Sequence, residues 1–411
     1  MQTFDTSTPV VVLRPDHHGS LCLIRSLGRI GVPVYAVGSQ PNSAGMLSRY
    51  CRGKFITDDN ASDPRNLVEF LHGVSRKIGT RPILTCTNDG SSAFIADNDD
   101  ALRESFLFPG ISRQLVHALS DKKEMYFLCK KFSIPTAETS FPQSRRDVLD
   151  FLASDSALFP VMLKGIDGAL LERQGKPKMV IVRNAQELLD QYDRMEDPAN
   201  PNLMLQEYIP GGDDSVWMFN GYFNENSDCL LGFAGRKLRQ HPVYTGATSL
   251  GILLQNEFVE NTTKKFMKAV GYRGVLDIGY RFDARNGLYK ILDINPRVGA
   301  TFRLFLARNG MDVVRAMYLD LTGQSVPSAA GIEGRKWVVE NGDIISYHEY
   351  RKDGKISFLQ WIRSFRGVQE GAWFALDDLV PFGSMLRGLS KRFLRWIGGK
   401  LGLSKGFRRD A

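Results

Sequence analysis

Two stretches of the chain concentrate residues able to do chemistry. Residues 274–297 read GVLDIGYRFDARNGLYKILDINPR. Positions two apart on an extended strand share a face, so Asp293 and Asn295 project together while Leu292 and Ile294 take the other side. The preceding run, 275–283, carries Asp277 with Gly279 on the same side. The turn Asp283-Ala284-Arg285-Asn286-Gly287 folds one run onto the other as a hairpin. Asp277 is then expected to face Asp293, with Asn295 next in line. Two carboxylates and an amide oxygen are hard donors that suit Mg²⁺ (or Mn²⁺), which takes few carboxylates and completes its shell with phosphate oxygens. Arg297, just past Pro296, is placed to meet an anion. The competing reading is a solvated face of an edge hairpin.

The second stretch is 159–164, FPVMLK. A lysine closing an apolar strand is unusual unless it reaches a partner. The familiar short signatures are absent: no GxxxxGK[ST], no GxGxxG, no HExxH, no GxSxG. His17-His18 reads as structural or close to a ligand rather than as a metal pair. Any catalytic site must therefore be assembled from scattered polar residues.

The elements that would position them alternate at first. Residues 9–13, 32–37 and 82–86 have strand character, and 19–30 and 67–78 have helical spacing, the pattern of a parallel, doubly wound sheet. Asn88-Asp89-Gly90 falls at a strand's C-terminal end, where such sheets bind ligands. Ser120 is expected to cap a helix running to about residue 132. Strands are then expected at 159–164, 179–183, 203–208, 216–223, 229–233, 275–283 and 288–294, with helices at 185–192, 261–270 and 301–321. A third section has strand character at 336–339 and 344–350. Residues 382–397 place Phe382, Met385, Leu386, Leu389, Phe393 and Ile397 on one helical face, with Arg387, Lys391 and Arg395 off it.

In this order the pieces resemble the ATP-grasp superfamily, which includes D-alanine–D-alanine ligase, biotin carboxylase and carbamoyl-phosphate synthetase. Within it they resemble most the carboxylate–amine ligase branch, which is similar to D-aspartate ligase. The resemblance rests on the Ser-Asp-Lys opening at Ser120, the strand ending at Lys164, and Gln206-Glu207-Tyr208-Ile209-Pro210-Gly211. Gly235-Arg236-Lys237-Leu238-Arg239-Gln240 and Asp293-Ile294-Asn295-Pro296-Arg297 complete it. It implies mixed α/β and α+β architecture. A Rossmann-like domain (1–118) would precede a two-lobed ATP-grasp domain (119–330, small lobe about 135–205, large lobe about 206–330). A β-containing section (331–379) and a basic amphipathic tail (380–411) would follow.

The resemblance also implies roles. Lys122 and Lys164 would hold ATP phosphates. Gln206, Glu207, Tyr208 and Ile209 would line the adenine slot, with Glu207 accepting from the exocyclic amine. Asp214 would bind ribose, with Asp213 close behind as the alternative. Asp277, Asp293 and Asn295 would hold Mg²⁺, and Arg297, Lys237 and Arg239 would serve the chemistry beside Arg236. Without the resemblance, Lys122 reads as a solvated first-turn lysine, Glu207 as a strand-end acid and Arg236-Lys237 as a surface pair. Two positions depart from the pattern: Asp293 stands where the last metal ligand is usually Glu, and Gly279 where close relatives often have another acid. The implied reaction converts a carboxylate to an acyl phosphate with ATP and joins it to an amine, releasing ADP and phosphate. Its rivals are a nucleotide-binding regulator without turnover and a peripheral membrane or assembly protein acting through its tail.

Composition narrows the partners. The 411 residues are 43 % apolar and 24 % charged, which excludes disordered, collagenous and disulfide-scaffold classes. Five scattered cysteines without CxxC spacing and no visible signal segment lead to the expectation of a reducing cytoplasm. The net charge is +8, yet 380–411 holds eight Lys/Arg against one acid, so the body is nearly neutral. A neutral body argues against nucleic acid. The small-molecule carboxylate and amine are the expected partners. The tail, 380–409, is read as packed on the body, as touching anionic lipid at the inner face of a membrane, or as meeting RNA or another acidic partner. A homodimer is the form relatives often take.

Overall fold

The computed structural model describes residues 4–57, 63–154 and 157–400. The chain opens with β1 (Val10–Leu13), α1 (His18–Gly28), β2 (Val34–Gly38), β3 (Cys51–Ile56), α2 (Pro64–Ile78) and β4 (Ile83–Cys86). The four strands form one parallel sheet in the order β3-β2-β1-β4. Helices cover both faces, so β1 is buried throughout and reads as an unbroken apolar run. The sequence hides β3, because CRGKFI is an edge strand with few large apolar residues. Strand order reverses between β1 and β4, so the loops after these two strands open on one crevice. Asn88 there caps α3 (Asp89–Asp97), accepting from Ser91 N at 2.8 Å.

Three short helices follow: α4 (Asp99–Arg103), α5 (Arg113–Ser120) and α6 (Lys122–Lys131). Ser120 ends α5, and Asp121 caps α6, one residue later than expected. The Asp121 carboxylate accepts from Lys123 N and Glu124 N, both at 2.9 Å, and puts a negative charge at the helix N-terminus.

Next come β5 (Thr139–Ser140), α7 (Arg145–Leu152), β6 (Val161–Gly165), α8 (Gly168–Arg173), β7 (Met179–Val182), α9 (Ala185–Met195) and β8 (Leu203–Glu207). The strands pair antiparallel in the order β5-β8-β6-β7. Val161, Leu163, Leu203 and Leu205 join Val148, Leu188 and Tyr192 in one core. The strand period of two then sends Lys164 and Gln206 to the opposite face.

The largest sheet is built from β9 (Val216–Phe223), β10 (Cys229–His241), β11 (Ala247–Leu253), β12 (Gly274–Asp283), β13 (Leu288–Asn295), β14 (Lys336–Val338) and β15 (Val368–Gly371). Their order is β13-β12-β9-β10-β11-β14-β15. The expected strand at 229–233 runs on to His241, and β11 has no counterpart among the expected strands. The helices of this half are α10 (Glu257–Ala269), α11 (Val313–Leu321), α12 (Glu340–Lys352), α13 (Phe358–Ser364) and α14 (Val380–Lys400). Residues 301–321 are not one helix. Gly310 has φ +81°, and Asp312 starts α11 afresh by accepting from Val314 N and Arg315 N. The strand expected at 344–350 lies inside α12, whose buried face (Asp343, Ser346, Tyr347, Tyr350) has helical spacing carried partly by polar residues.

One apolar core joins the first sheet to the largest one: Val10, Leu23 and Leu27 pack with Phe302, Phe305, Met317 and Trp337. Buried charges tie residues 368–378 to the same place. Arg25 Nε lies 2.9 Å from Asp378 Oδ2, both side chains 2 % exposed or less. Arg303 bridges Asp312 at 2.6 Å and Glu370 at 2.8 Å, and Arg335 reaches Glu370 at 2.6 Å. At the start of α14, Met385 is buried and Phe382 packs on Phe374, while Leu386 is exposed, so the expected apolar face is divided between body and solvent. The side chains of Phe393, Arg395 and Ile397, and residues 401–411, lie outside the described set.

Candidate active site

The hairpin of β12 and β13 forms as its alternation predicts, with a different register. Asp277 lies opposite Asn295, and Asp293 lies opposite Gly279. The two carboxylates are therefore diagonal neighbours rather than directly opposed. Asn295 links them, its Nδ2 donating to Asp293 Oδ2 at 3.1 Å and, at 3.5 Å, to Asp277 Oδ2. A β-carbon on Gly279 would lie 2.2 Å from Asp293 Oδ1, and one on Gly299 would lie 2.5 Å from Asp277 Cγ. Both glycines are thus explained by space: side chains there would occupy the volume of the carboxylates.

Asp277 has a third partner that sequence reasoning missed. Asn220 on β9 donates from Nδ2 to Asp277 Oδ1 at 2.7 Å and is fully buried. Its Oδ1 is buried without a hydrogen-bond partner among the described residues. The available signal is a lone Asn in the apolar strand VWMFNGYF. Burial lifts the Asp277 carboxyl above the ordinary range, against the pull of Arg297. No three His, Cys, Asp or Glu side chains converge among the described residues. The donor set is two carboxylates with amides, including one buried amide oxygen still free to accept. That set fits a hard divalent cation that arrives with phosphate oxygens of its own.

Three lysines approach this carboxylate pair from separate elements. Lys164 ends β6 on the face away from its core and is 8 % exposed; burial, then the nearby Lys122 charge, push it down to about 8. Lys122, at the first turn of α6, donates from Nζ to the carbonyls of Gly165 (3.2 Å) and Ile166 (2.9 Å). Lys237, on β10, donates to Gly246 O at 2.9 Å. Burial lowers both of these as well, and the Asp293 charge acts on all three in the opposite sense. Three lysines whose charge burial disfavours, with Lys122 also repelling Lys164, thus surround one exposed carboxylate, an arrangement that a polyanion would relieve.

Arg239 is not part of it. A β-bulge between Lys237 and Arg239 turns the strand over. Gln240 then lies on the side of Lys237, donating to Asp213 Oδ1 at 2.6 Å. Arg239 instead points to α12, where Nε and one terminal nitrogen each meet Asp343 at 2.8 Å and the other donates to Ser364 Oγ at 2.7 Å. This pair is 6 % and 1 % exposed. Asp343→Ala leaves a buried guanidinium without its counter-charge, and urea denaturation is expected to show a loss of about 3–5 kcal/mol. Arg236 lies over the Trp217 ring, 5.9 Å from its centroid.

At the other end of the hairpin, the Glu207 carboxylate is held by Lys290 Nζ (2.8 and 3.0 Å) and by Arg285. Burial acts to raise it, but the Lys290 and Arg285 charges prevail and hold it below the usual carboxylate range. Lys290 and Arg285 also share the fully buried Asp283. Glu207 is thus the anion of an ionic cluster. Gln206 donates to Thr139 Oγ1 at 3.2 Å, Ile209 is buried and Tyr208 half-buried. Asp214 is exposed, and the bonded acid of that turn is Asp213.

Arg297 leaves the hairpin toward the first sheet. It donates to Asp89 Oδ1, to Asn295 Oδ1 at 3.2 Å and to Val298 O at 3.3 Å. His17 lies in the same crevice: its Nδ1 accepts from Gly19 N at 3.1 Å, and its Nε2 is 3.1 Å from Thr87 Oγ1. Burial, then Arg297, lower its pKa, so it is neutral at pH 7. His18 turns away between Trp337 and Trp373, where burial holds it at about 3. The two adjacent histidines therefore face different surroundings and do not converge on one point.

No family model matches the chain. The D-aspartate ligase of Enterococcus faecium (strain Aus0004) is 25 % identical over 240 residues, 57 % of each chain, so the match spans little more than half of that relative. Staphylococcus aureus N5-carboxyaminoimidazole synthetase, solved with ADP, superposes with a TM-score of 0.62 at 12 % identity, over 86 % of this chain and 88 % of its own. The biotin carboxylase domain of Hydrogenobacter thermophilus 2-oxoglutarate carboxylase, a dimer solved with MgADP, ADP and bicarbonate, gives 0.58 at 16 %, over 80 % and 72 %. Across most of its length, then, this chain has the ATP-grasp fold.

Proposed function

We propose that the protein is an ATP-dependent carboxylate–amine ligase. The observation that carries this reading is the convergence of Lys122, Lys164 and Lys237 on Asp293. Their charges are disfavoured by burial, and a triphosphate would relieve them. In the proposed reaction the γ-phosphoryl group passes to a carboxylate oxygen. The amine then attacks the acyl phosphate carbon, phosphate leaves with the C–O bonding pair, and the amine loses a proton. Such transfer depends on positioning and charge neutralisation rather than on a protein nucleophile, consistent with the absence of nucleophile signatures.

Asp277 and Asp293 would hold Mg²⁺, with Asn295 joining them once its amide turns its oxygen from Arg297 toward the carboxylates; the ion when bound supplies neutralisation of the phosphate oxygens. Lys164 and Lys122 would hold the transferring phosphates from the small sheet and α6, and Lys237 would face them from β10. Arg297, fixed by Asp89 and Asn295, would orient the carboxylate. Because Glu207 is already paired, the base would meet the main chain of residues 207–209 and the Ile209 side chain, with Asp213 rather than Asp214 beside the sugar. The acceptor amine would enter over His17 and Thr87, at the crevice of the first sheet. As in the dimer of the Hydrogenobacter thermophilus biotin carboxylase domain, a homodimer is the proposed assembly.

The test is phosphate release from purified protein with ATP, Mg²⁺ and a panel of carboxylates and amino acids. A productive pair should appear, and Asp293→Ala should lower its kcat/KM by about 10²-fold or more, the scale of one preorganised charge. ATP binding without release on any pair would instead uphold a nucleotide-binding regulator.

A further inference from the structure

The molecule carries an apolar surface near its C-terminus that no described residue covers. Phe374, Leu376, Leu379, Val380 and Leu386 are 44, 82, 51, 56 and 44 % exposed. Single exposed leucines are ordinary, but five large apolar side chains exposed within 374–386 concentrate apolar surface in one short segment. The patch has a firm base. Asp378 is buried on Arg25, Asp377 pairs with Arg29 at 2.9 Å and accepts from Tyr50 at 2.7 Å, and Met385 is buried. Those contacts also neutralise the two acids of the segment, so no uncompensated negative charge remains there.

Cations follow at once. Arg387 and Lys391 are exposed on α14, and the sequence from 380 to 411 holds eight Lys/Arg against a single acid. No described helix is long and apolar enough to cross a membrane. A protein groove would accept the leucines but gives no account of the cation excess, and a nucleic acid would accept the cations but not the leucines. An anionic bilayer surface takes both, apolar side chains at the acyl boundary and cations among the headgroups.

We propose that residues 374–391 are a docking surface for an anionic lipid bilayer. The contact is peripheral, and it is independent of whether the protein turns over ATP. Flotation of the full chain with phosphatidylcholine vesicles, with and without phosphatidylserine, tests it. Partition should be at least about tenfold greater with phosphatidylserine and should fall with salt. The triple variant Leu376→Ser, Leu379→Ser, Val380→Ser and the double variant Arg387→Glu, Lys391→Glu should each lose about tenfold or more, with unchanged circular dichroism and melting temperature.

Equal partition to both vesicles overturns the proposal. So does loss in the charge variant alone, which would mark a purely electrostatic site for an acidic partner. A lipid-free dimer that the triple variant dissociates would show that a second copy covers the patch, and overturns it too.

Discussion

Lys164→Met is expected to stabilise the nucleotide-free protein while abolishing its response to ATP. The lysine is buried at the end of β6 with its pKa pushed down to about 8. The sign follows from proton binding. Between about 8 and the unfolded value the unfolded chain holds a proton that the folded chain has shed, so stability rises with pH across that window, and the full cost is carried below it. Methionine removes the cost, and at pH 7 the gain should be about 1–3 kcal/mol, read as a higher melting temperature. The gain should vanish near pH 10.5. ATP should raise the melting temperature of the parent but not of the variant, and kcat/KM should fall by about 10²–10³-fold. In the parent, nucleotide affinity should also weaken above about pH 8, by up to about tenfold per pH unit, as the lysine in the free protein loses the charge that binding needs. A variant that binds ATP like the parent at every pH would remove Lys164 from the site.

The second large effect concerns a methyl group. Gly279→Ala places a β-carbon 2.2 Å from Asp293 Oδ1. No contact that short survives, so the Asp293 carboxylate must swing away from Asn295 and from the three lysines. Asp293 is exposed, so it can move at small cost to folding, about 1 kcal/mol or less. The expected result is a nearly unchanged melting temperature with at least about a tenfold rise in the Mg²⁺ concentration giving half-maximal phosphate release. Gly279→Glu supplies an acid of the kind the resemblance leads one to expect at this position and should do no better, because its side chain starts from the same occupied volume. An unchanged Mg²⁺ requirement in the alanine variant would mean that Asp293 works from another rotamer.

The hairpin is legible in the sequence because its chemistry follows the strand period: polar residues two apart at the end of an apolar run seldom arise from packing alone. Lys164 is legible for the same reason. Arg239 is not, because a bulge adds one residue to β10 and reverses which side chains share a face, and nothing in GRKLRQ marks where the bulge falls. Glu207 is placed by its position in a pattern, while its partners Lys290 and Arg285 come from a hairpin strand and its turn some eighty residues away. Asn220 escapes notice because one amide in an apolar strand gains meaning only when a carboxylate on the next strand is known to face it. The helix at 340–352 reads as a strand because its buried face includes Asp343 and Ser346, which serve Arg239 and Gln240 rather than an oily core.

The buried ionic lattice around Glu370 and Asp378 sets where the polypeptide can be shortened. A chain ending before Val368 would take Glu370 from Arg303 and Arg335 and Asp378 from Arg25, leaving Arg25 and Arg335 without a counter-charge and Arg303 with Asp312 alone. Expression of residues up to 330 as a minimal catalytic fragment should therefore give insoluble material. The last stretch is dispensable to the core only from the point where α14 parts from it. The segment that looks like an appendage in the sequence is, up to Asp378, a keystone of the first helix.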